Sequence, residues 1–352
     1  MSEEFCAILK ERARGPGHLG PLGPELCERA MELILAGEAT PAQVGGFLLV
    51  GRAVGDTPRE LAAYTRPMQT LVREVEPPPG PPIVAVTGGF DGKTRTFNVG
   101  AAASLVAAAA GGRVLLLGCE ETPPKVGRTV FNALRNLGVP SPHPLEEAER
   151  RLGEVGFAAT TTDYYLRELH NLLQLRREMA RRTALNVVEK MVSPGRGSRF
   201  AIGITHRPFL STISRALVEL GVEHALIFQA IEGSDEAPLD GNSMLVQVNK
   251  GKIEEFRIPP ESLGLLRATK ADVSWKGEEE EARRLLGALA GDEGPVHDLI
   301  LYNAALRLWV TDETIPLEAH LEDARAALHS GVALEFIDRL RGRVLVDTLT
   351  CG

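Results

Sequence analysis

The sequence predicts an α/β fold, with a small N-terminal helical domain followed by a large α/β domain built on a mainly parallel central sheet. Three observations carry this expectation. Up to about residue 75 the apolar residues recur at helical spacing, the proline-rich run Pro77-Pro-Pro-Gly-Pro-Pro82 then interrupts the chain, and short apolar strands alternate with helical segments beyond it.

In the first region, Pro24, Thr40-Pro41 and Thr57-Pro58 stand where helices begin, with threonine as cap and proline in the first turn. Leu26, Ala30, Leu33 and Ile34, then Val44, Phe47, Leu48 and Val50, form the apolar stripes that follow. Proline fixes its own dihedral and disfavours helix in the residue before it, so 77–82 reads as a stiff connector. The expected domains are 1–76 and 77–352, with helices from about 163–190 packing on the first.

After the connector, strands are expected at 83–87, 113–117, 200–204, 225–229 and 244–248. Helices are expected at 131–137, 145–152, 164–180, 211–220 and in several stretches after 279. Such alternation places ligands near the carboxyl ends of parallel strands. The acidic run Glu278-Glu-Glu-Glu-Glu281 reads as a solvated helix start.

At 352 residues the chain has ample length for two domains or one large unit with a helical appendage. A formal net charge of -8 argues against a nucleic-acid protein that relies on overall basicity. Cys6, Cys27, Cys119 and Cys351 are scattered, without metal-ligand spacing, and read as reduced thiols. The eight histidines form no zinc pattern, and no nucleophile elbow occurs. The acidic start Met1-Ser-Glu-Glu-Phe lacks a signal-like apolar core, so a cytoplasmic location without membrane contact is expected.

The stretch Val86-Thr-Gly-Gly-Phe-Asp-Gly-Lys-Thr-Arg-Thr-Phe-Asn98 carries the clearest chemistry. A strand runs into a glycine-rich polar turn, and an alanine-rich helix follows at 100–110. Glycines let backbone amides approach an anion, and successive amides form a positive concavity. The spacing matches neither G-x-x-x-x-G-K-[ST] nor G-x-G-x-x-G, which sets nucleoside triphosphates and dinucleotides behind another phosphorylated ligand. A tight structural connection is the alternative.

Three further groups stand out. Asp235 and Glu236 follow the strand at 225–229, and an adjacent carboxylate pair beside a phosphate site suits Mg²⁺, although a solvated loop is equally compatible with the residues alone. Residues 175–186 contain Arg176, Arg177, Arg181 and Arg182; they offer guanidinium forks to an acidic substrate, or a helix in which Glu178 pairs with Arg181 or Arg182. Lys125, after the second strand, is placed to reach the same anion or to serve as an ordinary loop lysine.

Taken together and in this order, these residues resemble the anthranilate phosphoribosyltransferase family of the nucleoside phosphorylase-like class. Leu35-Ala-Gly-Glu-Ala-Thr-Pro-Ala-Gln43 is similar to its junction between helices. Thr87-Gly-Gly with Phe97-Asn98 is similar to its diphosphate loop, Ser234-Asp-Glu236 to its metal pair, and Arg176-Arg-Glu-Met-Ala-Arg-Arg-Thr-Ala-Leu-Asn186 to its acceptor signature. Tyr302-Asn-Ala-Ala-Leu306 is similar to a late helix of the family. The resemblance implies Mg²⁺-dependent transfer of phosphoribosyl from phosphoribosyl diphosphate to an aromatic amine, anthranilate in the family's tryptophan-biosynthesis step, by a homodimer joined through the helical domain. It implies that Thr87, Gly88, Gly89, Asp91, Gly92, Asn98 and Lys125 meet the donor, Arg176 the acceptor, and Asp235 and Glu236 the metal.

The chain also departs from the family pattern, as a divergent paralogue would. The glycine loop is about two residues longer, and Gly100 stands where the family has serine. Leu116-Leu-Gly-Cys-Glu120 replaces K-H-G-N-R, and Glu189-Lys-Met191 replaces G-P-L. A non-catalytic paralogue binding nucleic acid or a regulatory ligand, and a nucleoside phosphorylase, are the alternatives.

Overall fold

The computed structural model describes residues 2–15, 17–76, 79–241 and 244–342. Pro77 and Pro78 of the connector, and Cys351, lie outside the described residues.

The N-terminal helices are α1 (Glu3–Arg12), α2 (Pro24–Leu35), α3 (Pro41–Val54) and α4 (Pro58–Leu71). The Thr-Pro starts behave as the sequence implies: Thr40 with Gln43, and Thr57 with Glu60, form reciprocal capping boxes that satisfy otherwise orphaned helix amides. Glu60 does more than cap. Its Oε1 accepts from Arg12 Nη1 at 2.5 Å and from the Leu22 amide at 2.9 Å, so one buried carboxylate ties α1, the following loop and α4 together.

The second part begins with β1 (Ile83–Thr87), α5 (Val99–Ala109), β2 (Arg113–Gly118), α6 (Val130–Asn136), α7 (Leu145–Glu154) and β3 (Phe157–Thr161). Three short helices follow, α8 (Thr162–Tyr165), α9 (Arg167–His170) and α10 (Leu173–Met179), then α11 (Leu185–Val188). The chain continues through β4 (Arg199–Ile204), α12 (Pro208–Glu219), β5 (His224–Gln229), β6 (Met244–Asn249) and β7 (Lys252–Arg257). It closes with α13 (Glu278–Leu289), α14 (Pro295–Thr311), α15 (Leu317–His329) and α16 (Val332–Leu340).

The strands form one sheet in the order β3-β2-β1-β4-β5-β6-β7. The first five run parallel, while β6 and β7 are antiparallel additions at one edge. β1 is buried on both faces, as a central parallel strand must be. Its alternate residues serve different cores: Val84 and Val86 pack with α5 and α14, whereas Ile83 and Ala85 pack into the core that runs on into the N-terminal helices. The small side chains of α5 let it approach α14 closely, and residues 99–108 are all buried.

Three expectations are corrected. The single helix expected at 164–180 is three pieces, broken where Leu166 leaves helical dihedrals and again before Leu173; Ala180 then turns left-handed and ends it. β3 and β7 are strands that the sequence pattern does not announce. Glu281 is not solvated: it is 1% exposed and accepts from the Asn98 amide and from Asn136 Nδ2, both at 2.8 Å. Burial pushes its carboxyl up from the ordinary range.

Candidate active site

The carboxyl ends of β1, β4 and β5 open under the loop between α10 and α11 and the end of α3, leaving a cavity of about 500 Å³. Gly88, Asp91, Arg52, Arg182, Lys190 and His206 are on its wall. The topological position is the one expected for ligands in an open parallel sheet.

The glycine-rich turn is in place, but its glycines serve the chain's own packing. A Cβ on Gly88, at φ +153°, would lie 2.4 Å from the Ser234 carbonyl oxygen, and one on Gly92, at φ +68°, 2.3 Å from the Gly127 backbone. These are close backbone approaches that only glycine allows. Gly89 accepts from the Gly92 amide at 3.0 Å to close the turn. Thr87 is fully buried and donates its hydroxyl to the Lys190 carbonyl at 2.9 Å. Asn98 is 1% exposed, and its amide group donates to the carbonyls of Arg128 and Thr129. Thr87 and Asn98 therefore brace the turn from behind and are absent from the cavity wall, contrary to the ligand contacts expected of them. Asp91 does face the cavity, where its Oδ2 accepts from both Nε and Nη2 of Arg182, the former at 2.7 Å.

The acceptor arginine is likewise withdrawn. Arg176 is 2% exposed and forms a bidentate pair with Glu189, Nη1–Oε2 at 2.7 Å and Nη2–Oε1 at 3.0 Å. Glu189 opens the Glu189-Lys-Met191 stretch that stands where the family has G-P-L, and it occupies both terminal nitrogens of the Arg176 guanidinium. The alternative expected for 175–186 fails too, since Glu178 pairs with Gln174 at 2.9 Å. Arg177, Arg181 and Arg182 are the exposed cations of this segment, and the last two line the cavity.

Asp235 and Glu236 lie beside the turn and are 1% and 0% exposed. Each already holds a cation of the chain. Arg307 Nη2 donates to Asp235 Oδ2 at 2.8 Å, and Lys93 Nζ forms a fully buried ion pair with Glu236 Oε2. Glu236 Oε1 accepts from the Gly100 amide at 2.8 Å, and burial pushes the carboxyl up against the pull of Lys93. Asn303 fixes the loop by accepting from the Ala237 amide at 2.8 Å and donating to its carbonyl at 2.9 Å. Gly100 lets the pair turn inward: a Cβ there would lie 2.2 Å from Asp235 Oδ2, so the serine of the family pattern would require the Asp235 carboxylate to move.

This donor set does not fit Mg²⁺, which prefers octahedral oxygens and retains several waters. Of the four carboxylate oxygens only Asp235 Oδ1 lacks a hydrogen-bond partner, and no group of three metal-ligating acids, cysteines or histidines occurs among the described residues.

Lys125 sits as expected near an anion, but the anion is internal: its Nζ is 3.4 Å from Glu232 Oε2. Glu120 ends the stretch that replaces K-H-G-N-R and would disfavour an anion if it faced the cleft. It faces outward and pairs with Arg135 at 2.6 Å, so it repels nothing in the cleft. Sequence reasoning missed Lys93, Glu232, Lys190 and Arg307. Lys93 had a visible signal, a lone lysine within the extra length of the loop. Lys190 donates to the carbonyls of Gly203 at 2.8 Å and Gly233 at 3.3 Å, and burial pulls its ammonium down to about 8.

Comparison with known proteins agrees with this architecture over nearly the whole chain. Residues 7–71 match the model of the glycosyl transferase family helical bundle domain, and residues 84–334 that of the glycosyl transferase family a/b domain. The chain is 30% identical to the anthranilate phosphoribosyltransferase of Symbiobacterium thermophilum over 95% of its own length and 96% of the relative's. It is 32% identical to that of Thermomicrobium roseum, covering 89% and 90% of the two chains. The crystal structure of anthranilate phosphoribosyltransferase from Thermus thermophilus superposes with a TM-score of 0.81 at 27% identity, covering 97% of this chain and 99% of that one. The Saccharomyces cerevisiae enzyme, in a complex with phosphoribosyl diphosphate and magnesium, shares the fold at a TM-score of 0.79 and 18% identity over 97% and 98% of the chains. With two matched domains in the order helical bundle then α/β, the chain belongs to the glycosyl transferase family whose members include the anthranilate phosphoribosyltransferases.

Proposed function

We propose that this protein is a pentosyltransferase that moves a phosphoribosyl group from phosphoribosyl diphosphate to an aromatic amine or a similar small acceptor, with anthranilate the first acceptor to test. The observation that carries the reading is the match to anthranilate phosphoribosyltransferases along 95% of the chain. A cavity of about 500 Å³ at the strand ends supports it. In such a displacement the protein's task is to orient the amine and to meet the charge of the departing diphosphate. Arg182, Arg181, Arg52 and Lys190 would meet anionic groups from the cavity side, and Gly88 and Asp91 would lie against the ligand. Magnesium accompanies the donor in the yeast complex. Asp235 and Glu236 are already paired with Arg307 and Lys93 and do not offer a metal their oxygens in this arrangement. Assembly as a homodimer through α1 to α4, in the cytoplasm, goes with this reading.

The test is direct. Purified protein given phosphoribosyl diphosphate and anthranilate should quench anthranilate fluorescence and release diphosphate, and it should restore growth to a tryptophan auxotroph lacking this step. No diphosphate release with a panel of aromatic amines, together with no growth, would sink it. One observation favours a second reading, a paralogue that binds its ligand without transferring it: Glu189 blocks Arg176, and Lys93 and Arg307 neutralise the carboxylate pair. Saturable ligand binding without consumption would select that reading.

A further inference from the structure

The carboxylate of Glu232 sits in a concavity made for an anion. It accepts from the backbone amides of Thr94 at 3.2 Å, Arg95 at 3.1 Å and Thr96 at 2.8 Å, and from the hydroxyls of Thr94 at 3.3 Å and Thr96 at 2.7 Å. Lys125 Nζ at 3.4 Å and Arg95 Nε at 3.5 Å complete the surrounding charge. Three successive amides with a lysine above them are the chemistry of a phosphate nest. The segment is the downstream part of the glycine-rich turn after β1, and Glu232 comes from the loop after β5, so the contact joins the loops at the carboxyl ends of two strands.

The chain strains itself to make this contact. Glu232 has φ +54° and ψ +20°, a left-handed conformation that is unfavourable for a non-glycine residue. Its neighbour Gly233 is left-handed as well, at φ +76°. The side chain is 5% exposed. Hydrogen bonds from the turn and the lysine hold its carboxyl at about 2 against the cost of burial, so it remains charged under all ordinary conditions.

We propose that Glu232 is a built-in occupant of the anion cradle at residues 94–96, and that a phosphorylated ligand gains this cradle by displacing the Glu232 carboxylate. The inference rests on the transferase reading only for the choice of ligand class, a diphosphate. Glu232 thereby sets the affinity of the cleft for its anionic partner: the amides and Lys125 exchange one anion for another, and the net gain is the difference between them rather than the full value of the contacts.

The probe is inorganic diphosphate, titrated calorimetrically without metal into the wild-type chain, Glu232→Gly and Glu232→Gln. Glycine suits the left-handed backbone and removes the carboxylate; glutamine keeps the shape and removes the charge. At least fivefold tighter binding is expected for Glu232→Gly, with Glu232→Gln between it and the wild type. A smaller gain in the variants that fold overturns the proposal. Hydrogen exchange supplies a second readout: the amides of residues 94–96 should exchange faster in both variants and regain protection with diphosphate. Unchanged exchange without diphosphate overturns it too. Tighter diphosphate binding without any transfer activity would remove the transferase reading alone, whereas transfer activity with unaltered diphosphate affinity would remove this proposal alone.

Discussion

In the inner half of the site, beside the glycine-rich turn and behind the cavity wall, Asp235 and Arg307 are each 1% exposed and Lys93 and Glu236 are 0% exposed, whereas in the outer half, on the wall itself, Arg182 is 45% exposed beside Asp91 at 13%. Both halves use the same kinds of pair. The inner pairs have left water entirely, so their partners are committed and the loss of one leaves an uncompensated buried charge. The outer pairs remain solvated, cost little to break, and stay free to meet a ligand. The site thus has a buried half whose charges are spent on holding the fold and a cavity-facing half whose charges remain available.

The largest effect should come from breaking the inner half. Arg307→Ala removes the partner of Asp235 and the hydrogen bond to Ser104 at 3.0 Å, and should cost about 3–5 kcal/mol in urea unfolding. Arg182→Ala should cost less than about 1 kcal/mol in the same experiment. Equal losses would erase the distinction between the halves.

Changing pH should act next on the cavity wall, through Lys190. The Lys190 ammonium, pulled down to about 8, loses its charge as pH rises from 7 to 9, while Glu232, held at about 2, does not change. Binding of an aromatic carboxylate such as salicylate should therefore weaken about fivefold over that range, the worth of roughly one charge at this depth. The accompanying stability change has the opposite sense. Between about 8 and 10.5 the unfolded chain binds more protons than the folded one, so stability should rise with pH in that window. Calorimetric binding at pH 7 and 9 would check the first statement, and thermal melts from pH 8 to 10 the second.

Acid sensitivity should belong to neither half. His143, buried beside β3 with Nδ1 accepting from the Ala159 amide at 3.1 Å, is pulled from 6.5 to about 4 by burial. The unfolded chain takes up the proton first, so stability should fall as pH drops from about 6.5 toward 4. A His143→Gln variant should show a flatter melting profile there, and an unaltered profile would return the acid response to the cleft. The smallest effect is expected at Glu120, whose solvated pair with Arg135 should be worth less than about 0.5 kcal/mol and should leave ligand affinity unmoved on replacement by alanine.

The contrast between the halves also explains what could be read in advance. Helix starts at Pro24, Pro41 and Pro58 and the five apolar strands were legible because their signals are local. β3, Phe-Ala-Ala-Thr-Thr, lacks a branched apolar run, and the edge strand β7, Lys-Ile-Glu-Glu-Phe-Arg, is mostly charged and exposed, without the alternation of a half-buried strand. The loops of the site were legible, but their partners were not. Lys93 meets Glu236 across 143 positions, Glu232 meets Thr96 across 136, and Arg307 meets Asp235 across 72. Local reading found donors and acceptors correctly at Lys125 and Asp235 while assigning them to an external ligand. Only the tertiary fold shows that the chain supplies the counterion itself.

The most direct measurement is a titration of the wild-type chain with Mn²⁺, followed by the loss of the free-ion electron paramagnetic resonance signal. With Asp235 and Glu236 already neutralised by Arg307 and Lys93, no stoichiometric binding is expected at millimolar Mn²⁺, and Lys93→Met should introduce a weak site. One ion bound per wild-type chain, abolished by Asp235→Asn or Glu236→Gln, would contradict the charge-complete inner half.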